Sequence, residues 1–262
     1  MIEVFVKAVG LVAPGLLGWE NAKAVFQGAQ GYQPDEMPLL KPPMLLPNER
    51  RRTSNTIKLA LQAIHDILGD NTTSNELAFV FASSEGDMEI VDHICSALNQ
   101  VGRPVSPTHF HNSVHNAPAG YASISIGTHE PSTSLAALQG SFASGLLEAS
   151  VQVVINKSQI LCVIYDNSVP FPLNEFIPIE KPFAVAMLLS LDADNSLAQL
   201  TLDLTTRLFE SRMTDPRLEE FRMRNPAARS LPLLQQLATG KTASLQFTYL
   251  PGLGLDVEVT PC

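Results

Sequence analysis

The stretch Thr133–Tyr165 constrains the fold more than any other part of the chain. Thr133–Leu138 reads as a short strand and Gln139-Gly140-Ser141 as a tight turn. A long helix then runs to about Ile155, and Gln159–Tyr165 (QILCVIY) is a strand apolar on both faces. A strand that bends into a helix and is followed by a doubly buried strand requires a layered α/β domain with a central, largely parallel sheet. Glu76–Ala82 (ELAFVFA) repeats the continuous apolar run, and Ser83–Gly86 turns it into a helix over about Asp87–Val101. Upstream, Ile2–Val9 alternates as a strand, and Pro34, Pro38, Pro42, Pro43 and Pro47 mark an irregular segment. Thr53 or Ser54 caps an amphipathic helix to about Leu68. Val114–Ile126 is small-residue rich and reads as a helix that another element can approach closely.

After Pro170 the texture changes. Phe183–Leu191, Ala198–Leu204, Leu245–Leu250 and Leu255–Val259 read as strands, with helices at about Asp215–Arg224 and Leu231–Thr239. The expected organisation is a lobe over 1–170 and a reduced lobe over 171–262, packed on the same core as a single unit.

Composition narrows the function. With 45% hydrophobic and 16% charged residues, 262 residues can bury a sizeable core. Seventeen basic against 26 acidic residues give a net charge of −9, so nothing general attracts the chain to nucleic acid or anionic lipid. Cys95, Cys162 and Cys262 are too scattered for a disulfide framework, a zinc site or a redox pair. The opening MIEVFVKAVG has no basic leader, and no apolar run approaches the ~20 residues of a membrane span; a cytoplasmic location is expected. His109, His111 and His115 cluster within seven positions without an acidic partner, and the expectation is no metal and no cofactor. Ser141 and Ser144 lie in Gly-Ser-Phe-Ala-Ser-Gly, which is not the Gly-x-Ser-x-Gly of a hydrolase elbow.

Val105–Gly120 (VSPTHFHNSVHNAPAG), Ile126-Gly127 and Glu130-Pro131-Ser132 resemble the segment of β-ketoacyl synthases that leads to the nucleophile. The resemblance covers roughly Met1–Leu191, is strongest over Glu76–Tyr165, and is greatest to the short chain-length factors of aryl polyene clusters. It implies a thiolase-like layered αβα fold with a reduced, incomplete second lobe. Counting on without a gap places the family's nucleophilic cysteine on Gln139, or on Phe142 if the alignment slides by three. Neither side chain can attack a thioester. The family also needs two histidines from its second lobe, and all six histidines here lie at or before His129.

The resemblance therefore implies a non-catalytic subunit that heterodimerises with a β-ketoacyl synthase and walls the pocket in which a carrier-bound acyl chain grows. The candidate wall and partner-facing residues are Met88, Val91 and Cys95 on one helical face, with His109, Phe110, Ala117, Gly120 and Phe142. Carrier proteins are acidic, so Arg50, Arg51 and Arg52, with Arg217, Arg222 and Arg224, are candidate docking cations. Two other readings stay open: a small acyltransferase or thioesterase, and a standalone carrier-protein-binding scaffold.

Overall fold

The computed structural model describes residues 1–70, 76–207 and 209–262. The chain opens with β1 (Ile2–Ala13), β2 (Leu16–Leu17), α1 (Trp19–Phe26), α2 (Pro47–Arg52) and α3 (Asn55–Leu68). Next come β3 (Ala78–Ala82), α4 (Met88–Leu98), α5 (Pro107–Asn112), α6 (Ala117–Ile126), β4 (Ser132–Leu135), α7 (Ser141–Asn156) and β5 (Ile160–Asp166). The remainder supplies β6 (Phe183–Ser190), β7 (Ala198–Thr205), α8 (Pro216–Arg224), α9 (Leu231–Thr239), β8 (Ala243–Leu250) and β9 (Leu253–Pro261).

These strands form one sheet in the order β4-β3-β5-β6-β1-β7-β9-β8, with β2 paired to β1. The apolar runs are explained by burial on two sides. Ala78, Val80 and Ala82 of β3, with Ile160, Cys162 and Ile164 of β5, face the core that holds α7. Phe79, Phe81, Leu161, Val163 and Tyr165 face the opposite core, under α3 and α6. Each large apolar side chain withdrawn from water in this way stabilises the fold by about 1.5–3 kcal/mol. β6 lies between β5 and β1, so residues on both sides of position 170 share one sheet and one core.

The expectation of a largely parallel sheet is not met. β3 runs parallel to β4 and β5, whereas β1, β6, β7, β8 and β9 pair antiparallel. The reason is the connections. α4–α6 and α7 carry the crossovers around β3, but no helix longer than a three-residue 3-10 turn spans β5 to β6, and β9 follows β8 as a hairpin partner.

Two boundaries moved for local reasons. The helix expected from about Asp87 to Val101 runs Met88–Leu98: the Asp87 side chain accepts from Ile90 N (3.1 Å) and caps its start, and Asn99 caps its end. The strand expected to reach Leu138 stops at Leu135, because Leu138 takes a left-handed φ of 49°.

The sheet curls around α7. β8 ends the sheet opposite β4, yet a Cβ on Gly140, just before α7, would collide with the Tyr249 carbonyl of β8. Phe142 of α7 meets Phe247 of β8 edge to face at 4.8 Å. On the other side a Cβ on Gly145 would come within 2.8 Å of the Ala82 Cβ, so glycine there is what lets α7 sit directly on β3.

Candidate functional site: the turn into α7

Between β4 and α7 the chain reverses through a 3-10 turn, Leu138–Gly140. Ser141, fully buried, fixes that turn: its Oγ accepts from Ala137 N (3.1 Å) and donates to the Leu138 carbonyl (2.8 Å). Leu138 pays for its left-handed backbone with about 1 kcal/mol of strain and still leaves its side chain 65% exposed.

Gln139 sits exposed at the head of α7, and its Oε1 accepts from Arg229 Nε (3.2 Å) and Nη2 (3.0 Å). Arg229 also pairs with Glu210, which faces Arg222 Nη1 at 3.2 Å. Arg222 grips Glu219 with two bonds of 2.8 Å, and Glu219 accepts from Met213 N at 2.8 Å. Burial pulls the Arg222 pKa down, but hydrogen bonds and charges from Glu219 and Glu210 outweigh it, and the guanidinium is held above its ordinary value. The Arg222 hydrogen bond in turn holds Glu219 below the usual carboxylate range. The result is a relay of alternating charge that ends on the Gln139 amide oxygen.

Beneath lies Asp166, the last residue of β5, 1% exposed. Its Oδ1 accepts from Ser83 Oγ (3.0 Å), Ser84 N (2.7 Å) and Ser84 Oγ (2.8 Å), and its Oδ2 from Ala227 N (3.0 Å). Burial pushes its pKa up to about 6 against the lowering effect of those bonds. Asn225 completes the tie, donating to the Asp166 and Lys181 carbonyls and accepting from Ala227 N and Ala228 N. This knot holds the segment carrying Arg229 against the ends of β3 and β5.

Chemically, the head of α7 suits a thiolate, because unpaired N–H groups and the helix dipole stabilise negative charge there. An amide presents no nucleophile. Among the described residues no histidine is hydrogen-bonded to Gln139. The thiols lie elsewhere: Cys162 is buried in β5, where desolvation raises its pKa, and Cys95 and Cys262 are exposed.

The other expected residues divide. Ala117 and Gly120 lie, with Ile124, along one stripe of α6 that is half-buried to exposed, while Ala119, Ala122 and Ile126 turn into the core. Phe110 is 70% exposed, and His109 stacks on His93 of α4 at 4.9 Å. Met88 and Val91 are half-buried and Cys95 is exposed. They occupy a different face of α4 from Glu89, Asp92 and His93, which line a cavity of about 500 Å³.

Phe142 requires correction: at 1% exposure against Phe247 it is core and faces no partner. Arg222 does too, since a cation 1% exposed and committed to Glu219 and Glu210 has nothing left to dock with. Arg50 turns inward to the Leu45 carbonyl (2.9 Å). Arg51 and Arg52 are exposed, Arg217 lies 3.9 Å from Asp215, and Arg224 pairs with Glu180 and Glu220. Arg229 and Glu210 escaped the sequence reading because Arg229 lies 90 positions from Gln139 and no spacing signals such a contact. Among the described residues, no group of three His, Cys, Asp or Glu side chains is placed to hold a metal ion, and no helix is long and apolar enough to cross a membrane.

Comparison with known proteins places this geometry in a family. A family model, β-ketoacyl synthase, N-terminal domain, matches residues 19–248. A search of curated proteins returned no match. Among solved structures the chain is similar to the ketosynthase (ApeO) in complex with its chain length factor (ApeC) from Xenorhabdus doucetiae, at 23% identity and a TM-score of 0.75 over 98% of this chain and 100% of that one. It is also similar to the ishigamide ketosynthase/chain length factor, at 13% identity and a TM-score of 0.76 over 100% and 99%. A third similar structure is AntDE:AntF, a type II PKS acyl-carrier protein in complex with its ketosynthase, at 11% identity and a TM-score of 0.75 over 100% and 99%. The match of that family model over most of the chain, with a ketosynthase-like fold to agree with it, makes this chain a member of the β-ketoacyl synthase N-terminal-domain family.

Proposed function

We propose that the chain is a non-catalytic chain-length-factor subunit. It forms a heterodimer with a β-ketoacyl-carrier-protein synthase in the cytoplasm and shapes that enzyme's acyl pocket during aryl polyene assembly. The observation that carries this reading is Gln139, an amide at the nucleophile position whose oxygen is occupied by Arg229. The partner then supplies the thiolate and both histidines, and residues 171–262 stand for a second lobe reduced to what braces α7.

The unpartnered surface supports association. β4 is an edge strand with one row of backbone groups unpaired within the sheet. Gly120 and Ile124 (73% exposed) on α6, Phe110 on α5 and strained Leu138 leave apolar area that a monomer normally covers. The resemblance of the chain to solved structures of a ketosynthase in complex with its chain length factor and of a ketosynthase/chain length factor supports the same reading. Arg51, Arg52 and Arg217 keep the exposure that docking an acidic carrier needs, with Arg224 partly engaged. Co-expression with a ketosynthase bearing intact Cys-His-His should give one co-eluting complex of equal stoichiometry. A chain that elutes as a stable monomer beside a ketosynthase homodimer contradicts the proposal.

A further inference from the structure

Near the end of β5, Tyr165 meets the starts of two helices. Its side chain is fully buried, and its ring is held edge to face on Phe81 at 6.3 Å. Beside it lies a small cavity with about 10 Å³ of room for a ligand's centre, the space of one water-sized molecule. Thr56 and Ile57 from the first turn of α3 line it, with Asp87 at the cap of α4 and His115 and Pro118 at the entry to α6. Four elements therefore converge on this one point.

Most polar groups around the cavity are committed elsewhere. Asn112, which also lines it, donates to the Arg52 carbonyl (2.7 Å) and accepts from the Tyr121 hydroxyl (3.2 Å). His115 Nε2 donates to the Ser83 carbonyl at 3.3 Å, and Asp87 Oδ1 accepts from Ile90 N. Two groups are left over: the Tyr165 hydroxyl and Asp87 Oδ2 are both buried, and neither has a hydrogen-bond partner among the described residues. Such groups are costly to bury unpaired. Thr56 Oγ1 accepts one long bond, from Asn167 Nδ2 at 3.3 Å, and has a second lone pair to offer. Burial holds the Asp87 carboxyl above its ordinary value, although the Ser54 and Thr56 hydroxyls and Ile90 N–H oppose it. Burial also raises the Tyr165 pKa, so its hydroxyl keeps its proton and acts as a donor.

We infer that this cavity is a specific binding site for one water molecule, which accepts from the Tyr165 hydroxyl and donates to Asp87 Oδ2 and Thr56 Oγ1. Three partners are the usual complement of an internal water. The chemistry of the leftover groups selects this ligand. A metal cation takes about six or more oxygens, and the walls from Ile57 and Pro118 are apolar. An ammonium ion only donates, and leaves the phenol hydrogen without an acceptor. The bound water ties the end of β5 to the first turns of α3 and α4, directly beneath the entry to α6. The inference is independent of the proposed function.

Crystallography of the full chain, at a resolution that shows ordered waters, reads the site directly. The expected result is a single peak about 2.6–3.2 Å from Tyr165 Oη, Asp87 Oδ2 and Thr56 Oγ1. An empty cavity, a direct hydrogen bond between Tyr165 and Asp87, or a peak with contacts of about 2.3–2.6 Å from six or more oxygens, the mark of a cation, each overturn the inference. A double-mutant cycle tests it in solution. Tyr165→Phe removes the donor, and Asp87→Asn alters the free oxygen while keeping one that can cap α4. The two changes should be coupled by about fivefold or more in the unfolding equilibrium constant, although the residues share no direct hydrogen bond. Strictly additive effects overturn the inference. Where a variant fails to fold, the peak in the unaltered chain decides. None of these readings depends on association with a ketosynthase, so their failure leaves the subunit assignment intact.

Discussion

Replacing Asp166 by alanine should destabilise the fold by about 3–5 kcal/mol, more than any other single polar substitution near the site. The carboxylate satisfies the Ser84 and Ala227 backbone N–H groups and two serine hydroxyls, all buried, and alanine leaves them without partners. Chemical denaturation at neutral pH measures the loss. The same residue sets a pH dependence. Its folded pKa of about 6 lies above the 3.8 of the unfolded chain. The folded state therefore holds the proton more tightly, and the proton-linked part of its stability, which adds to that of the hydrogen bonds, is fully present below pH 4. It falls as pH rises through about 6 and is lost above it. The size is about 3 kcal/mol, and Asp166→Ala should remove that slope between pH 4 and 7. A variant as stable as the original, with the slope retained, would show that Asp166 is not what ties the Arg229 segment down.

The second large effect concerns association. Ile124→Asp places a charge on the exposed stripe of α6, next to Gly120, where the isolated chain pays little for it. If that stripe is covered by the ketosynthase, the charge is desolvated without a partner, and affinity should fall by at least about a hundredfold, equivalent to roughly 3 kcal/mol. Gel filtration of the co-expressed pair reads this as separation of the subunits, and circular dichroism confirms that the variant is folded. A complex that survives Ile124→Asp would place the interface on another face.

Legibility varied with the range of the interaction. Strands β3 and β5 were readable because burial on both faces leaves a continuous apolar run, and α3 because Ser54 caps an amphipathic period. Strand direction was not readable. β6 has the same apolar texture as β5, and only the absence of a crossover helix makes it antiparallel. At the site, Gln139 was found by counting along a resemblance. The groups that hold it, Arg229, Glu210 and the Asp166–Asn225 knot, come together across long stretches of chain and leave no local pattern. Phe142 and Arg222 were misplaced for one reason: an aromatic and a cation look alike in sequence whether they face a partner or, as here, Phe247 and two glutamates.

The most direct measurement follows the thioester chemistry of the chain alone and of its Gln139→Cys variant. A thiol at position 139 would sit at the head of α7 beside the Arg229 guanidinium, both of which favour the thiolate. The account predicts that the variant is alkylated by iodoacetamide faster than a free cysteine. It predicts no decarboxylative condensation from either form, because no histidine lies downstream of His129. Condensation by either form in the absence of a ketosynthase would contradict the account.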